Sequence, residues 1–133
     1  MSTIHKKSLS TQQEMYLKAI FILCQKQRVA RVTEIAKELN VSKASVTSSL
    51  KILSDKELVS WDPYSFVTLT KKGEEVASLV LEKFYMFSDF FQNALGLCEE
   101  VAKKNACQVE HAVDDEVFIA MSQFYKKWQQ GQS

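Results

Sequence analysis

The sequence predicts a mainly α fold in two parts, a winged helix-turn-helix domain with a two-stranded wing over residues 1–72 and a helical domain over residues 73–133. Three observations predict it. Glycine and proline are scarce, three and one in 133 residues, which disfavours a turn-rich all-β chain. Two amphipathic helical patterns are separated by the short break Asn40-Val41-Ser42, the helix-turn-helix pattern. Directly after the second pattern, two β-rich runs flank Asp62-Pro63-Tyr64-Ser65, the signature of a hairpin.

Taken in order, residues 10–27 form the first helix. Ser10 or Thr11 can cap it, and Gln13 or Glu14 can complete a capping box. Met15, Tyr16, Ala19, Ile20, Ile22 and Leu23 make a broad apolar stripe at helical spacing. A short extended piece spans residues 28–32. Thr33 then caps a second helix over 34–39, with Ile35, Ala36 and Leu39 facing inward. Ser42 caps a third over 43–56, whose Val46, Leu50 and Leu53 face the core. Its outer face carries Ser42, Lys43, Ala44, Ser45, Thr47, Ser48 and Lys51, small and hydroxylic where an ordinary solvated helix mixes Glu with Lys. Short hydroxyl donors allow close approach to a DNA backbone, and the two lysines reach phosphates. Together with Thr33, these residues are the candidate contacts to double-stranded DNA.

The strands are expected at 58–61 and 66–70. Thr70 caps a long fourth helix that runs to about residue 95. Within it, Phe84-Tyr85-Met86-Phe87-Ser88-Asp89-Phe90-Phe91 holds five of the fourteen aromatic residues, too many for one face of a monomer's helix. A subunit interface accounts for them, since aromatics and methionine are enriched there, so residues 73–133 are expected to form a dimerisation domain. Gly96 ends this helix in a left-handed cap. Two shorter helices, 99–112 and 115–129, follow, and residues 129–133 are expected to fray.

Composition bounds the function. The apolar fraction is 46% and the charged fraction 25%, ordinary for a globular chain. No apolar run approaches the roughly 18 residues of a membrane span, and the N-terminus has no h-region of a signal peptide. The expected chain is cytoplasmic and has no membrane partner. Three cysteines, Cys24, Cys98 and Cys107, are odd in number and show no repeated spacing, which argues for thiols in a reducing compartment rather than a disulfide framework. Net charge is +1, yet residues 1–72 hold 12 Lys and Arg against 6 Asp and Glu, whereas residues 73–133 hold 5 against 10. A basic half joined to an acidic half is a cue for a polyanion at one end.

In Asn105-Ala106-Cys107-Gln108-Val109-Glu110-His111 a thiol, a carboxylate and an imidazole stand at i, i+3 and i+4. On a helix they share an arc of about 100°, and that donor set suits a transition metal. The same residue types also fit a buried cysteine beside an exposed pair. Cys107 and His111 as nucleophile and base is the weaker reading, because both lie on one helix with no oxyanion donor or glycine-rich loop. No enzyme is expected.

An ordered set of motifs resembles the diphtheria toxin repressor family of metal-dependent regulators, which includes the manganese transport regulators. The matching stretches are Glu14-Met15-Tyr16-Leu17, Arg31-Val-Thr-Glu-Ile-Ala-Lys-Glu-Leu39, Ser45-Val46-Thr47, Leu69-Thr70-Lys-Lys-Gly73, Cys107-x-x-Glu110-His111 and Asp115-Glu116. The resemblance covers residues 9–125. It implies a homodimeric transcriptional repressor that binds a palindromic operator when a divalent metal is bound, and that controls metal-homeostasis genes. In the iron-responsive branch a methionine of the first helix joins the Cys-x-x-Glu-His residues, which maps the ligands onto Met15, Cys107, Glu110 and His111. The manganese branch has carboxylates at the positions of Met15, Lys18 and Cys107, and this chain departs from it at all three. At the family's ancillary metal site the chain has Phe84 or Tyr85, Ser88 or Asp89, and Lys103. It also ends before the SH3-like domain of larger members, so a two-domain, one-site version is expected. Ligand softness favours Fe(II) over Mn(II), and Co(II), Ni(II) or Zn(II) would bind at least as tightly in the tube. The alternatives are a Mn(II)-responsive regulator of the same family, or a metal-independent winged-helix regulator that senses oxidation through Cys107.

Overall fold

The computed structural model describes residues 9–62 and 66–131. Among them run six helices and one two-stranded sheet: α1 (Thr11–Gln27), α2 (Val32–Leu39), α3 (Lys43–Asp55), β1 (Val59–Trp61), β2 (Val67–Leu69), α4 (Lys71–Asn93), α5 (Glu99–Val109) and α6 (Asp115–Gly131). The chain divides into two compact units, Leu9–Leu79 and residues from Val80 onward. This is the predicted mainly α, winged helix-turn-helix architecture followed by helices.

Local chemistry sets the boundaries in the first unit. Ser10 starts α1 with both bonds of a capping box: its Oγ accepts from Gln13 N–H at 3.1 Å, and its own N–H donates to Gln13 Oε1 at 3.1 Å. The second helix begins earlier than Thr33 predicts. Glu34 Oε1 accepts from the Arg31 N–H at 3.0 Å, so the reach-back bond starts α2 at Val32, with Arg31 as N-cap and Thr33 inside the first turn. Asn40 closes α2 in a left-handed conformation (φ 56, ψ 50), which a short polar side chain tolerates. Ser42 caps α3 as expected, its Oγ accepting from Ser45 N–H at 3.1 Å.

The wing pairs antiparallel, Val59 opposite Leu69, Ser60 opposite Thr68 and Trp61 opposite Val67. Of the predicted Asp-Pro turn, Pro63, Tyr64 and Ser65 lie outside the described residues. The extended piece before α2 adds a bridge to β2: Ala30 N–H donates to Val67 carbonyl at 2.9 Å and Val67 N–H to Ala30 carbonyl at 2.8 Å. That register sets Arg31 beside Phe66, and the Arg31 guanidinium lies over the Phe66 ring, 5.1 Å from its centroid. Tyr16, Leu17, Ile20, Ile35, Val46, Leu50, Leu53, Val59 and Val67 fill the core of this unit. Their interlocking orients the outer face of α3.

At the start of α4, Thr70 Oγ1 accepts from Gly73 N–H at 3.1 Å and donates to the Glu57 carbonyl at 2.7 Å. The helix ends at Asn93, two residues short of the predicted end, and Gly96 supplies the left-handed turn (φ 71). In the second unit Phe87 is buried and packs against Phe91 and Phe118, with ring centroids 6.0 and 6.4 Å away. Ala102 and Ala106 on α5 are fully buried. The predicted extension of α5 to residue 112 does not form: the helix ends at Val109, with Glu110 as a still-helical C-cap. Residues 129–131, expected to fray, are the last turn of α6; residues 132–133 lie outside the described residues.

Candidate metal centre and nucleic-acid interface

Because α5 stops at Val109, Glu110 and His111 leave it in a tight turn. Glu110 N–H still donates to the Ala106 carbonyl at 3.0 Å, and the Val109 carbonyl accepts from both Ala112 (2.9 Å) and Val113 (3.2 Å). The turn keeps the spacing that a continuing helix would have provided. One donor atom each from Cys107, Glu110 and His111 lies within 4.8 Å of the other two. Glu110 Oε2 and His111 Nε2 are 4.0 Å apart, on side chains 0% and 4% exposed. Cys107 is half-buried at the rim.

The group fits a divalent transition metal. Donors bound at 2.0–2.3 Å stand about 3–4 Å from each other, so the widest separation needs closure of about 1–2 Å. Its chemistry is mixed, with one sulfur, one oxygen and one nitrogen, as suits a borderline ion rather than magnesium or calcium. Among the described residues this is the one cluster of three or more His, Cys, Asp or Glu side chains with metal-binding spacing.

Met15, the fourth residue the sequence pointed to, belongs to α1 in the first unit. It is 38% exposed between buried Glu14 and Tyr16, so it is not a core residue of that helix. The positions matching the family's ancillary site line an open cleft of about 680 Å³ in the second unit, among them Phe84, Tyr85, Ser88, Asp89 and Lys103. There Lys103 Nζ pairs with Glu99 at 2.7 Å and holds its carboxyl below the usual range through a hydrogen bond and its charge. Asp89 accepts a short hydrogen bond from the Tyr125 hydroxyl.

On the candidate DNA face, Thr33, Ser42, Lys43, Ala44, Ser45, Ser48 and Lys51 are all exposed. Thr47 is half-buried and its hydroxyl donates back to the Ala44 carbonyl at 3.0 Å. Ser42 Oγ is likewise engaged, donating to Ser45 Oγ at 2.9 Å while it caps the helix. Sequence reasoning missed two charged residues. Arg31 appeared only as part of a matching stretch, although it stands at the N-terminus of α2 against the wing. Lys83 went unremarked, and its only signal was a lysine directly before the apolar run that starts at Phe84. It is 5% exposed.

No helix among the described residues is long and apolar enough to cross a membrane. Residues 8–67 match the family described as iron dependent repressor, N-terminal DNA binding domain, and residues 70–131 match the iron dependent repressor metal binding and dimerisation domain. The chain is 36% identical over 121 residues to an uncharacterised HTH-type transcriptional regulator of Methanocaldococcus jannaschii, covering 90% of this chain and 97% of that one. It is 31% identical over 112 residues to the transcriptional regulator MntR of Escherichia coli O6:H1, covering 84% of this chain and 72% of the relative. Among solved structures, the manganese regulator SloR superposes with a TM-score of 0.75 at 29% identity, over 86% of this chain. The chain spans about half of that protein, 53% of its length. With both halves matched in order, this chain belongs to the iron-dependent repressor family, the diphtheria toxin repressor class of metal-dependent transcriptional regulators.

Proposed function

We propose that this protein is an Fe(II)-dependent transcriptional repressor that acts as a homodimer on a palindromic operator in the cytoplasm, governing metal-homeostasis genes. The observation that carries it is the Cys107, Glu110 and His111 cluster, with donor atoms within 4.8 Å, in a chain whose other unit is a winged helix-turn-helix. Met15 is the fourth ligand, on the ground of the family resemblance and of its exposure on α1. A cation bound to this set supplies free energy that only the ligated arrangement receives, which shifts the population toward it. Cys107 contributes a soft thiolate, Glu110 neutralises charge, and His111 contributes the borderline nitrogen that favours iron over a hard ion.

The remaining residues serve the DNA and the dimer. Ser42, Ser45, Ser48 and Thr33 approach the backbone closely, Lys43 and Lys51 take phosphates, and Ala44 and Thr47 face base edges. Two recognition helices about 34 Å apart read successive major grooves, which requires a dimer of fixed spacing. A second copy of the chain covers the apolar face made by Met86, Phe90, Met121 and Phe124, where Phe124 is 65% exposed. The three cysteines are free thiols, as a reducing compartment maintains them. Manganese is the competing metal, favoured by the similarity to the manganese regulator SloR.

The test is an anaerobic titration with Fe(II) and Mn(II), using duplex DNA selected from a randomised palindrome library. Operator affinity is read by anisotropy, with Met15→Ala and Cys107→Ser in parallel. Binding that is equal with chelator and with either metal, and unchanged in both variants, overturns the reading. A response to Mn(II) at concentrations where Fe(II) gives none transfers the protein to manganese.

A further inference from the structure

Lys83 is a buried ammonium in the middle of α4, and both of its short polar contacts go to the segment that follows the metal cluster. Its Nζ donates to the Val113 carbonyl at 3.1 Å and pairs with Asp115 Oδ1 at 2.7 Å, with side chains only 6% and 5% exposed. The same Nζ stands 5.9 Å from the centroid of the Phe118 ring on α6. Between this anchor and the end of α5 lies the turn at residues 110–114, which carries Glu110 and His111. One end is held by the Glu110 and Ala112 backbone bonds to α5, the other by Lys83.

Stability alone is a weak reason for such a pair. Withdrawing an ammonium and a carboxylate from water costs several kcal/mol each, and an apolar pair of the same volume is often as stable or more so. What a lysine with directed bonds adds is position: it fixes the register of the turn against α4. An apolar contact permits the turn to slide, whereas donors aimed at one carbonyl and one carboxylate do not. Partners beyond the ligands that orient them in this way commonly contribute a factor of about 10–100 in metal affinity.

We propose that Lys83, through Asp115 and the Val113 carbonyl, is a positioning residue for the metal centre, holding the turn at residues 110–114 so that Glu110 and His111 face Cys107 before any ion arrives. The inference rests on the proposed metal-binding reading of that cluster. Without the clamp, ordering of the turn must be met out of binding energy, and affinity falls.

Anaerobic Co(II) titration of the full chain tests it, reading affinity, the near-ultraviolet thiolate band and the visible ligand-field bands, together with metal-free melting by circular dichroism. Lys83→Met is expected to keep its helical signal, to weaken Co(II) binding about 10–100-fold, and to change the ligand-field bands; Lys83→Arg recovers most of the affinity. Wild-type affinity and bands in a folded Lys83→Met overturn the proposal. Should Lys83→Met lose its fold, the double variant Lys83→Met with Asp115→Leu restores an apolar contact and carries the same test: weakened binding supports the clamp, and wild-type binding overturns it. If wild-type protein itself shows no thiolate band, or Cys107→Ser leaves Co(II) binding unchanged, the metal reading falls and the clamp with it. That failure is visible before any Lys83 variant is made.

Discussion

Gly73 lies so close to the Leu58 carbonyl that a Cβ on it would stand 2.0 Å from the oxygen. The same carbonyl accepts from Thr70 N–H at 3.1 Å, so the first turn of α4 is pressed directly onto the chain entering β1. Backbone on both sides cannot yield as a side chain can. Gly73→Ala is therefore expected to destabilise the first unit by at least about 2 kcal/mol, a loss visible as a lowered urea midpoint with an unchanged slope. An unchanged midpoint would show that the contact relaxes freely.

Ser42 carries two roles that substitution can separate. Ser42→Ala removes the acceptor for Ser45 N–H and should cost about 1 kcal/mol. Ser42→Asp keeps the cap and adds a charge favoured at a helix N-terminus, so folding stability should be retained. The same carboxylate faces phosphate, and operator affinity should fall at least tenfold. Urea unfolding and anisotropy on one pair of proteins distinguish the effects; an Asp variant that binds DNA as wild type does would remove α3's N-terminus from the interface.

Cys107 decides the softness of the metal set. Cys107→Asp replaces a thiolate with a hard oxygen and is expected to lower Ni(II) and Co(II) affinity while leaving Mn(II) binding equal or stronger. Competition calorimetry measures the ratio. A uniform drop for all three ions would mean that Cys107 acts by shape and not by donor chemistry.

Tyr125 gives the second unit a pH signature. Burial, and then its hydrogen bond to Asp89, push the phenol above its ordinary value. A folded value above the unfolded one means the native state holds the proton longer. The contribution to stability is thus complete below about pH 10, where phenols ordinarily titrate, and is lost as pH rises from there through the folded value. Tyr125→Phe should abolish that part of the alkaline decline, seen as converging melting profiles of the two proteins with rising pH. Parallel profiles above pH 10 would contradict it.

Much of this was legible in the chain. Ser10 with Gln13, Ser42 and Thr70 announced three helix starts, because a cap is a bond between residues three apart and needs no knowledge of the fold. Gly96 announced a helix end for the same local reason. Thr33 misled because the decisive bond ran backwards from Glu34 to Arg31, a choice between two adjacent starts that differ little in energy. The end of α5 was also hidden: nothing in Val109-Glu110-His111-Ala112 breaks a helix, and the chain just beyond it is bonded through the Val113 carbonyl to Lys83, 30 residues away in sequence.

The sequence by itself determined the order of elements, the hydroxylic outer face of α3 and the spacing that brings Cys107 to Glu110. These follow from periodicity and caps, which are short-range. Only the tertiary structure decided that Glu110 and His111 are withdrawn from solvent, that Arg31 rests on the Phe66 ring, and that a buried Lys83–Asp115 pair stands behind the cluster. Burial and long-range ion pairs depend on which surfaces meet after collapse, and no local pattern along one chain records that meeting.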